Sequence, residues 1–113
     1  QVAAVIIEPL VQGVGGMRMT TPDFMQKLSK LVKDAGVLMI YDEVMTGFGR
    51  TGDYFACLRC NTVPDIICLA KGLTGGFLPL ALTCVTESVF EPFLSKDVSK
   101  TFFHGHSYTA NPI

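Results

Sequence analysis

The sequence has no excess of charge of either sign. Nine lysines and arginines stand against ten aspartates and glutamates, dispersed along the chain, and the net charge is -1. Binding to nucleic acid requires a basic surface that neutralises phosphates. We therefore expect no nucleic-acid partner.

Long apolar runs are also missing. No segment reaches the roughly 18 to 20 apolar residues of a membrane span. The N-terminus lacks the charged stretch and cleavage site of a signal peptide. These absences predict a soluble, cytoplasmic protein with no membrane partner.

Two binding motifs are incomplete. The glycine-rich stretch "QGVGGMR" fails the dinucleotide pattern G-x-G-x-x-G, because its third glycine would fall at Arg18. Cys57 and Cys60 have the spacing of half a zinc site, but Cys68 and Cys84 are 16 residues apart and supply no second pair. Reduced thiols are therefore favoured over structural zinc or disulfides.

What the chain does have is apolar residues and glycine. Its hydrophobic content of 49% and its 11 glycines suit one compact domain or part of a larger one. The chain opens on Gln1 directly before a strand-like run and stops at "NPI" without a tail. We therefore expect a piece of a longer chain, with an incomplete active site.

Buried apolar runs alternate with a helical segment. Thr21, Pro22 and Asp23 form a helix start, and Gly36 is placed to cap the end of that helix. Its apolar face is expected to comprise Phe24, Leu28, Leu31 and Val32. Strands are predicted at 2–7, 37–41, 66–70, 80–85 and 101–103, with a short helix at 87–94. This order predicts an α/β fold with a largely parallel sheet, its strands covered on both faces.

Three of the predicted strands end in an ionisable residue: Glu8, Asp42 and Lys71. The carboxyl ends of parallel strands share one edge of a sheet, and ligands of open α/β sheets bind there. An alternative is that Asp42 and Lys71 form a buried ion pair, or that one of them caps a helix. Glycine-bearing loops follow each residue, which favours a binding site.

A lysine and an aspartate at a dry edge fit a specific chemistry. A desolvated lysine is a nucleophilic amine that forms a Schiff base with an aldehyde. Pyridoxal 5'-phosphate is such an aldehyde, and it needs a carboxylate at its pyridine nitrogen. The sequence thus points to Lys71 and Asp42 in these two roles.

Several segments together resemble one family, the class III pyridoxal-phosphate-dependent aminotransferases of fold type I. They are "AAVIIEPLVQGVGGM", "YDEVMTGFGRTGDYFAC", "PDIICLAKGLTGGFLPLALT" and "FFHGHSYTANP". The resemblance implies that residues 1–113 are part of the large, mostly parallel-sheet cofactor-binding domain. The N-terminal part of that domain and the C-terminal small domain would lie outside it.

The resemblance also implies roles for single residues. Lys71 is the Schiff-base lysine and the general acid and base, and Asp42 is the partner of the pyridine nitrogen. Val44 would pack on one face of the cofactor ring if the chain stays extended beyond Asp42, although plain core packing is the alternative. Many relatives have a glutamine at the next position that reaches the ring hydroxyl, where this chain has Met45. Glu8 would lie near the substrate or serve a structural hydrogen bond.

The segment "HGHSYT" would cross a dimer interface in this family. By resemblance, Gly105 lies beside the substrate, and His106 and Ser107 lie beside the cofactor phosphate of the neighbouring subunit. This implies a homodimer with shared active sites. His104 and His106 could alternatively hold a metal, but no third ligand is spaced near them.

The segments "LAKGLTGGFLPLALT" and "HGHSYTANP" resemble the biotin-pathway branch of the family most. That branch transfers the amino group of S-adenosylmethionine to 8-amino-7-oxononanoate. Alternatives are another class III activity with an omega-amino acid or diamine donor, or a related aminomutase or decarboxylase. A catalytically silent α/β module is the alternative from a different class.

Overall fold

The structure, a computed structural model, describes residues 1–108 and 111–112. Thr109 and Ala110 of the "HGHSYTANP" motif lie outside the described residues. The main elements are β1 (Ala4–Ile7), β2 (Val11–Gln12), β3 (Arg18–Met19), α1 (Pro22–Asp34), β4 (Leu38–Asp42), α2 (Ala56–Arg59), β5 (Ile66–Leu69), β6 (Leu82–Val85) and α3 (Glu87–Phe90). Short 3-10 turns cover Lys71–Leu73, Glu91–Phe93 and Val98–Lys100.

Four strands form one sheet in the order β1, β4, β5, β6. β4 pairs in parallel with both β1 and β5, whereas β6 runs antiparallel to β5. The predicted α/β fold with a mostly parallel sheet is therefore confirmed. A second, two-stranded sheet of β2 and β3 closes the glycine-rich loop after β1, and the sequence patterns did not predict it.

Helix α1 begins and ends as its sequence predicts. The Thr21 hydroxyl oxygen accepts a hydrogen bond from the backbone N–H of Phe24 at 3.1 Å, which caps the first turn. At the other end Gly36 takes a positive φ of 65°, and its N–H donates to the Lys33 carbonyl. The N–H of Val37 donates to the Val32 carbonyl, which completes a Schellman motif.

The buried face of α1 differs from the predicted one. Met25 and Val32 are buried, whereas Phe24 is 45% and Leu31 66% exposed. Positions 25, 28 and 32 form the helical stripe that faces the sheet, so Phe24 and Leu31 lie on its flanks. The core beneath this stripe consists of Leu10, Met25, Val32, Met39, Tyr41, Ala56, Cys57 and Cys60.

The opposite face of the sheet is open in the described chain. Met39 and Tyr41 of β4 are buried beneath α1 and α2, while Leu38 on the alternate side is exposed and Ile6 of β1 is 64% exposed. The expectation that the strands are covered on both faces is wrong for this chain. All four residues of β6 are exposed as well.

The predicted strand at 101–103 is also wrong, because these described residues pair with no neighbouring strand. The ring of Phe102 packs instead against that of Phe93, with centroids 5.7 Å apart. The helix predicted at 87–94 divides into α3 and the 3-10 turn Glu91–Phe93, since Pro92 interrupts the helical hydrogen bonds. Within the described residues, no helix has the length and apolar character of a membrane span.

Candidate active site

The sheet register places the three ionisable strand ends at one edge. Ile7 of β1 pairs with Tyr41 of β4, so Glu8 and Asp42 leave the two strands at neighbouring positions. Asp42 pairs with Cys68 of β5, and Lys71 follows three residues later. The predicted common edge of Glu8, Asp42 and Lys71 is therefore confirmed, while their chemical roles stay predictions.

Glu8 and Asp42 line one cleft of about 370 Å³ at this edge. Ile6, Ile7, Gln12 and Gly15 complete its lining. The Oε2 atom of Glu8 accepts a hydrogen bond from the backbone N–H of Gly13 at 3.0 Å, which ties the glycine-rich loop to the end of β1. Glu8 therefore has the structural hydrogen bond that was its alternative reading, and a role towards substrate stays a prediction.

Asp42 is half-buried and has one oxygen fixed by the backbone. Its Oδ1 atom accepts a hydrogen bond from the N–H of Val44 at 3.0 Å, an Asx turn that ends the strand. The chain turns at Val44 and does not continue as a strand, so the extended geometry assumed for Val44 is wrong. Packing of Val44 on a cofactor ring stays a prediction, but an extended chain after Asp42 no longer supports it.

Lys71 is exposed, and the dry position predicted for it is not found in the described chain. The strand that precedes Lys71 does not shield its amine, and the open sheet face leaves the amine in contact with water. Lys71 does not line the cleft of Glu8 and Asp42. It also forms no ion pair with Asp42, since the ion pairs among the described residues join Asp23 to Lys27 and Lys30 to Asp34.

Glu43 is a supporting residue that sequence reasoning missed. Its side chain is fully buried, and it accepts hydrogen bonds from the backbone N–H groups of Ala56 at 2.7 Å and Cys57 at 2.8 Å. The Thr46 hydroxyl donates to the same carboxylate at 3.3 Å. Glu43 thus fastens the loop after β4 to the start of α2. The one signal in the sequence is a second carboxylate directly after Asp42. Because successive side chains of a strand point to opposite faces of a sheet, this carboxylate is expected on the face opposite to Asp42.

Burial beside Glu43 changes the chemistry of a neighbouring thiol. Desolvation, followed by the nearby carboxylate, raises the pKa of Cys57 to about 11. Burial likewise raises the pKa of Cys60. All four cysteines are free thiols, and no group of three or more metal-ligating side chains forms within the described part of the chain.

Met45 lies against the glycine-rich loop. A Cβ atom added at Gly13 would lie 2.5 Å from the Met45 sulfur and 3.5 Å from Oε2 of Glu8. The absence of a side chain at Gly13 therefore makes room for Met45. The thioether packs here at the position where the resembling family often has a glutamine.

The loop at 104–108 lies apart from the cleft. Gly105, His106 and Ser107 are exposed, and none of them lines it. The His104 ring stacks on Phe102 with centroids 5.7 Å apart, and Nδ1 of His106 accepts a hydrogen bond from the N–H of Tyr108. The structure therefore does not bring these residues to Asp42 and Glu8 of the same chain.

Comparison with known proteins decides the family. The family Aminotransferase class-III matches residues 1–113, the whole of the chain. The chain belongs to the class III aminotransferases. The family resemblance carried by its motifs is thereby confirmed.

Relatives of this class III chain are much longer than it is. It is 64% identical over 112 residues to an adenosylmethionine-8-amino-7-oxononanoate aminotransferase of Synechococcus elongatus, a match that covers 99% of the chain and 26% of the relative. A solved Bacillus anthracis aminotransferase is 40% identical, with a TM-score of 0.87 over 94% of the chain and 23% of that structure. An amine transaminase from an uncultivated Pseudomonas species, solved in its PLP-bound form, is 38% identical with a TM-score of 0.85, over 93% of the chain and 24% of that structure. The class III chain thus spans about a quarter of the length of these relatives.

Proposed function

We propose that this chain is the part of a pyridoxal-phosphate-dependent transaminase that supplies the cofactor-binding lysine and aspartate. The observation that carries the proposal is the common sheet edge of Asp42 and Lys71, in a chain that belongs to the class III family. The solved relative with bound PLP supports the choice of cofactor.

The described residues fit pyridoxal 5'-phosphate at two points. Lys71 offers an exposed primary amine on one strand end, and Asp42 offers a carboxylate, oriented through Oδ1, on the next. When bound, the cofactor supplies an electron sink for the substrate carbon that loses a proton. Asp42 would hold the pyridine nitrogen protonated. The Nζ atom of Lys71 would hold the cofactor aldehyde and then move the proton at the amino-bearing carbon of the substrate.

We propose S-adenosylmethionine as the amino donor and 8-amino-7-oxononanoate as the acceptor, a reaction of biotin synthesis. The support is the name of the Synechococcus elongatus relative at 64% identity. A second candidate is an amine transaminase activity, which the name of the Pseudomonas relative favours at 38% identity. The proposal follows the name of the relative with the higher sequence identity.

We further propose that the active enzyme is a homodimer in which the loop at 104–108 serves the partner subunit. Gly105 would lie beside the substrate, and His106 and Ser107 beside the cofactor phosphate. All three residues are exposed and none of them lines the cleft of its own chain, which supports this role. A cytoplasmic location of the enzyme stays a prediction.

Borohydride trapping tests the cofactor assignment. The full-length protein is incubated with pyridoxal phosphate, reduced, digested and mapped by mass spectrometry. We expect the cofactor on Lys71, no label in Lys71→Arg, and full labelling in the control Lys96→Arg, which changes an exposed lysine of the same chain. Label on a different lysine contradicts the proposal, and no label at all favours the silent α/β module.

A donor screen tests the substrate assignment. The full-length enzyme is supplied with 8-amino-7-oxononanoate and with S-adenosylmethionine, alanine or a diamine as donor. Activity with S-adenosylmethionine alone supports the biotin-pathway reaction. Strong activity with alanine or a diamine and none with S-adenosylmethionine would replace it with the second candidate.

A further inference from the structure

The backbone at Lys71 is held in an unusual conformation. Its φ is 40°, in the left-handed region that side chains with a Cβ rarely occupy. Such a conformation persists only where the surrounding structure enforces it. The Leu73 N–H donates a hydrogen bond to the Ala70 carbonyl across Lys71, and the Lys71 carbonyl accepts from the N–H groups of Thr74 and Gly75, so backbone bonds shape the turn that contains Lys71.

A second restraint comes from the loop after β4, through a contact between Phe48 and Gly72. A Cβ atom added at Gly72 would lie 2.8 Å from Cβ, 2.9 Å from Cδ2 and 3.0 Å from Cγ of Phe48. The Phe48 side chain therefore rests directly on the backbone of Gly72. Gly72 itself is not among the glycines with positive φ, so close approach, and not backbone conformation, is what requires a glycine there.

Phe48 is in turn fixed from behind by two aromatic rings. Its ring meets that of Tyr54 edge to face at 5.8 Å and that of Phe55 at 5.5 Å, and these two rings meet each other at 4.8 Å. Phe55 directly precedes α2, whose first N–H groups are bound by the buried Glu43. Rigid contacts therefore run from the end of β4 to the residue after Lys71.

We propose that Phe48 is a positioning residue that fixes the backbone of Lys71 through its contact with Gly72. The Lys71 side chain is exposed, so the placement of its amine depends on where the Lys71 backbone is held. The inference rests on the proposed function, because it concerns the lysine assigned to the cofactor. It adds a residue that acts through Gly72 to those that determine the reaction.

The test adds a Cβ atom at Gly72 and removes the Phe48 side chain that this atom would meet. Gly72→Ala, Phe48→Gly and the double variant are prepared in the full-length protein. Glycine tolerates the φ of 60° at position 48, so Phe48→Gly removes the contact without adding strain. The three atoms nearest to an alanine Cβ at position 72 all belong to the Phe48 side chain, so the clash with them exists in the single variant and is relieved in the double variant.

The readouts are the rate of borohydride trapping on Lys71, the pH dependence of the visible absorbance of the cofactor, and kcat with KM. We expect Gly72→Ala to lower the trapping rate and kcat by roughly tenfold or more, because small displacements of a reacting group cost orders of magnitude. Phe48→Gly should shift the pH profile and lower kcat. Its KM should stay within about twofold of the wild-type value. Adding Gly72→Ala to Phe48→Gly should change each readout by less than about twofold.

Two control variants separate positioning from stability. Gly36→Ala introduces strain at the end of α1, where φ is 65°, and Phe24→Ala changes an exposed ring on the same helix. Both should leave the trapping rate and pH profile unchanged even where the unfolding temperature falls. If a loss of stability alone lowers the trapping rate, Gly36→Ala will lower it too, and the inference is overturned.

The outcomes for the two proposals differ. If wild-type protein takes no label on Lys71, the proposed function fails and this inference fails with it. If wild-type is labelled but Gly72→Ala costs as much in the Phe48→Gly background as alone, only the positioning role is overturned. Should Gly72→Ala fail to fold, Phe48→Gly and the double variant still decide, because a tenfold difference between their trapping rates contradicts the proposal.

Discussion

The carboxylate of Glu43 lies 2.7 Å from the backbone nitrogen of Ala56, with no part of the glutamate exposed to water. The same carboxylate binds the next N–H, at Cys57, with its other oxygen. A side chain directly after a strand thus satisfies the first two backbone donors of a helix 13 residues further along the chain. Without it, two buried N–H groups would have no partner.

We therefore expect Glu43→Ala to lower the free energy of unfolding of the full-length protein by about 2 to 4 kcal/mol, since each unsatisfied buried group costs about 1 to 3 kcal/mol. Glu43→Gln keeps one acceptor oxygen and should cost less. Urea unfolding measures both, and Glu87→Gln on the exposed surface of α3 is the matched control. An Ala variant as stable as the control would show that water replaces the carboxylate.

The Cys57 thiol makes stability depend on pH. Burial, and then the neighbouring Glu43, raise the pKa of Cys57 from 9.0 to about 11. The unfolded chain therefore loses this proton at lower pH than the folded chain does, so the thiol contributes fully below pH 9 and its contribution is lost as the pH rises to about 11. We expect the free energy of unfolding to fall across this window, and Cys57→Ala to flatten the fall. Urea midpoints at several pH values measure it.

Cys84→Ala is the matched control for this pH dependence, because Cys84 is exposed. It should leave the fall between neutral and alkaline pH unchanged. Equal slopes in Cys57→Ala and wild-type protein would contradict the assignment. Burial also raises the pKa of Cys60, so we expect this thiol to contribute to a slope that remains in Cys57→Ala.

The strands and the ends of α1 were predictable because they depend on local sequence patterns. Apolar runs of four to six residues gave the strands, and Gly36 marked the end of α1 through the positive φ that a Schellman motif needs. The parallel order then followed, and with it the common edge of Glu8, Asp42 and Lys71. These inferences use only sequence neighbours and the two standard periodicities.

The features that were missed depend on distant parts of the chain. Burial of Glu43 follows from donors that tertiary packing brings to it, and no neighbouring residue indicates them. The exposure of Lys71 depends on what covers the open sheet face, which the apolar run before it cannot determine. Val44 was misplaced because the hydrogen bond from its N–H to Asp42 turns the chain where alternation assumed a continuing strand.

Asp42→Asn separates the charge of Asp42 from its local structural bond. Asparagine retains an Oδ1 atom that accepts from the Val44 N–H, so the turn and the stability should be unchanged. The neutral amide cannot keep a pyridine nitrogen protonated, so we expect kcat to fall by about 100-fold or more, the loss typical of a removed electrostatic contact. Steady-state kinetics and thermal unfolding of the full-length enzyme measure the two effects. Asp42→Ala should lose both, and full activity in Asp42→Asn would contradict the cofactor role.

The packing of Met45 on Gly13 predicts a compensating pair. Gly13→Ala places a Cβ 2.5 Å from the Met45 sulfur and should lower the free energy of unfolding by about 1 kcal/mol, a modest cost because methionine is flexible. Met45→Ala opens that space, so the double variant should be more stable than the sum of the single effects by about 1 kcal/mol. Urea unfolding of the three variants measures the coupling. Gly15→Ala is the matched control, since its Cβ would meet Gln12 at an ordinary 3.6 Å. Additive effects of Gly13→Ala and Met45→Ala would show that the thioether does not occupy this position.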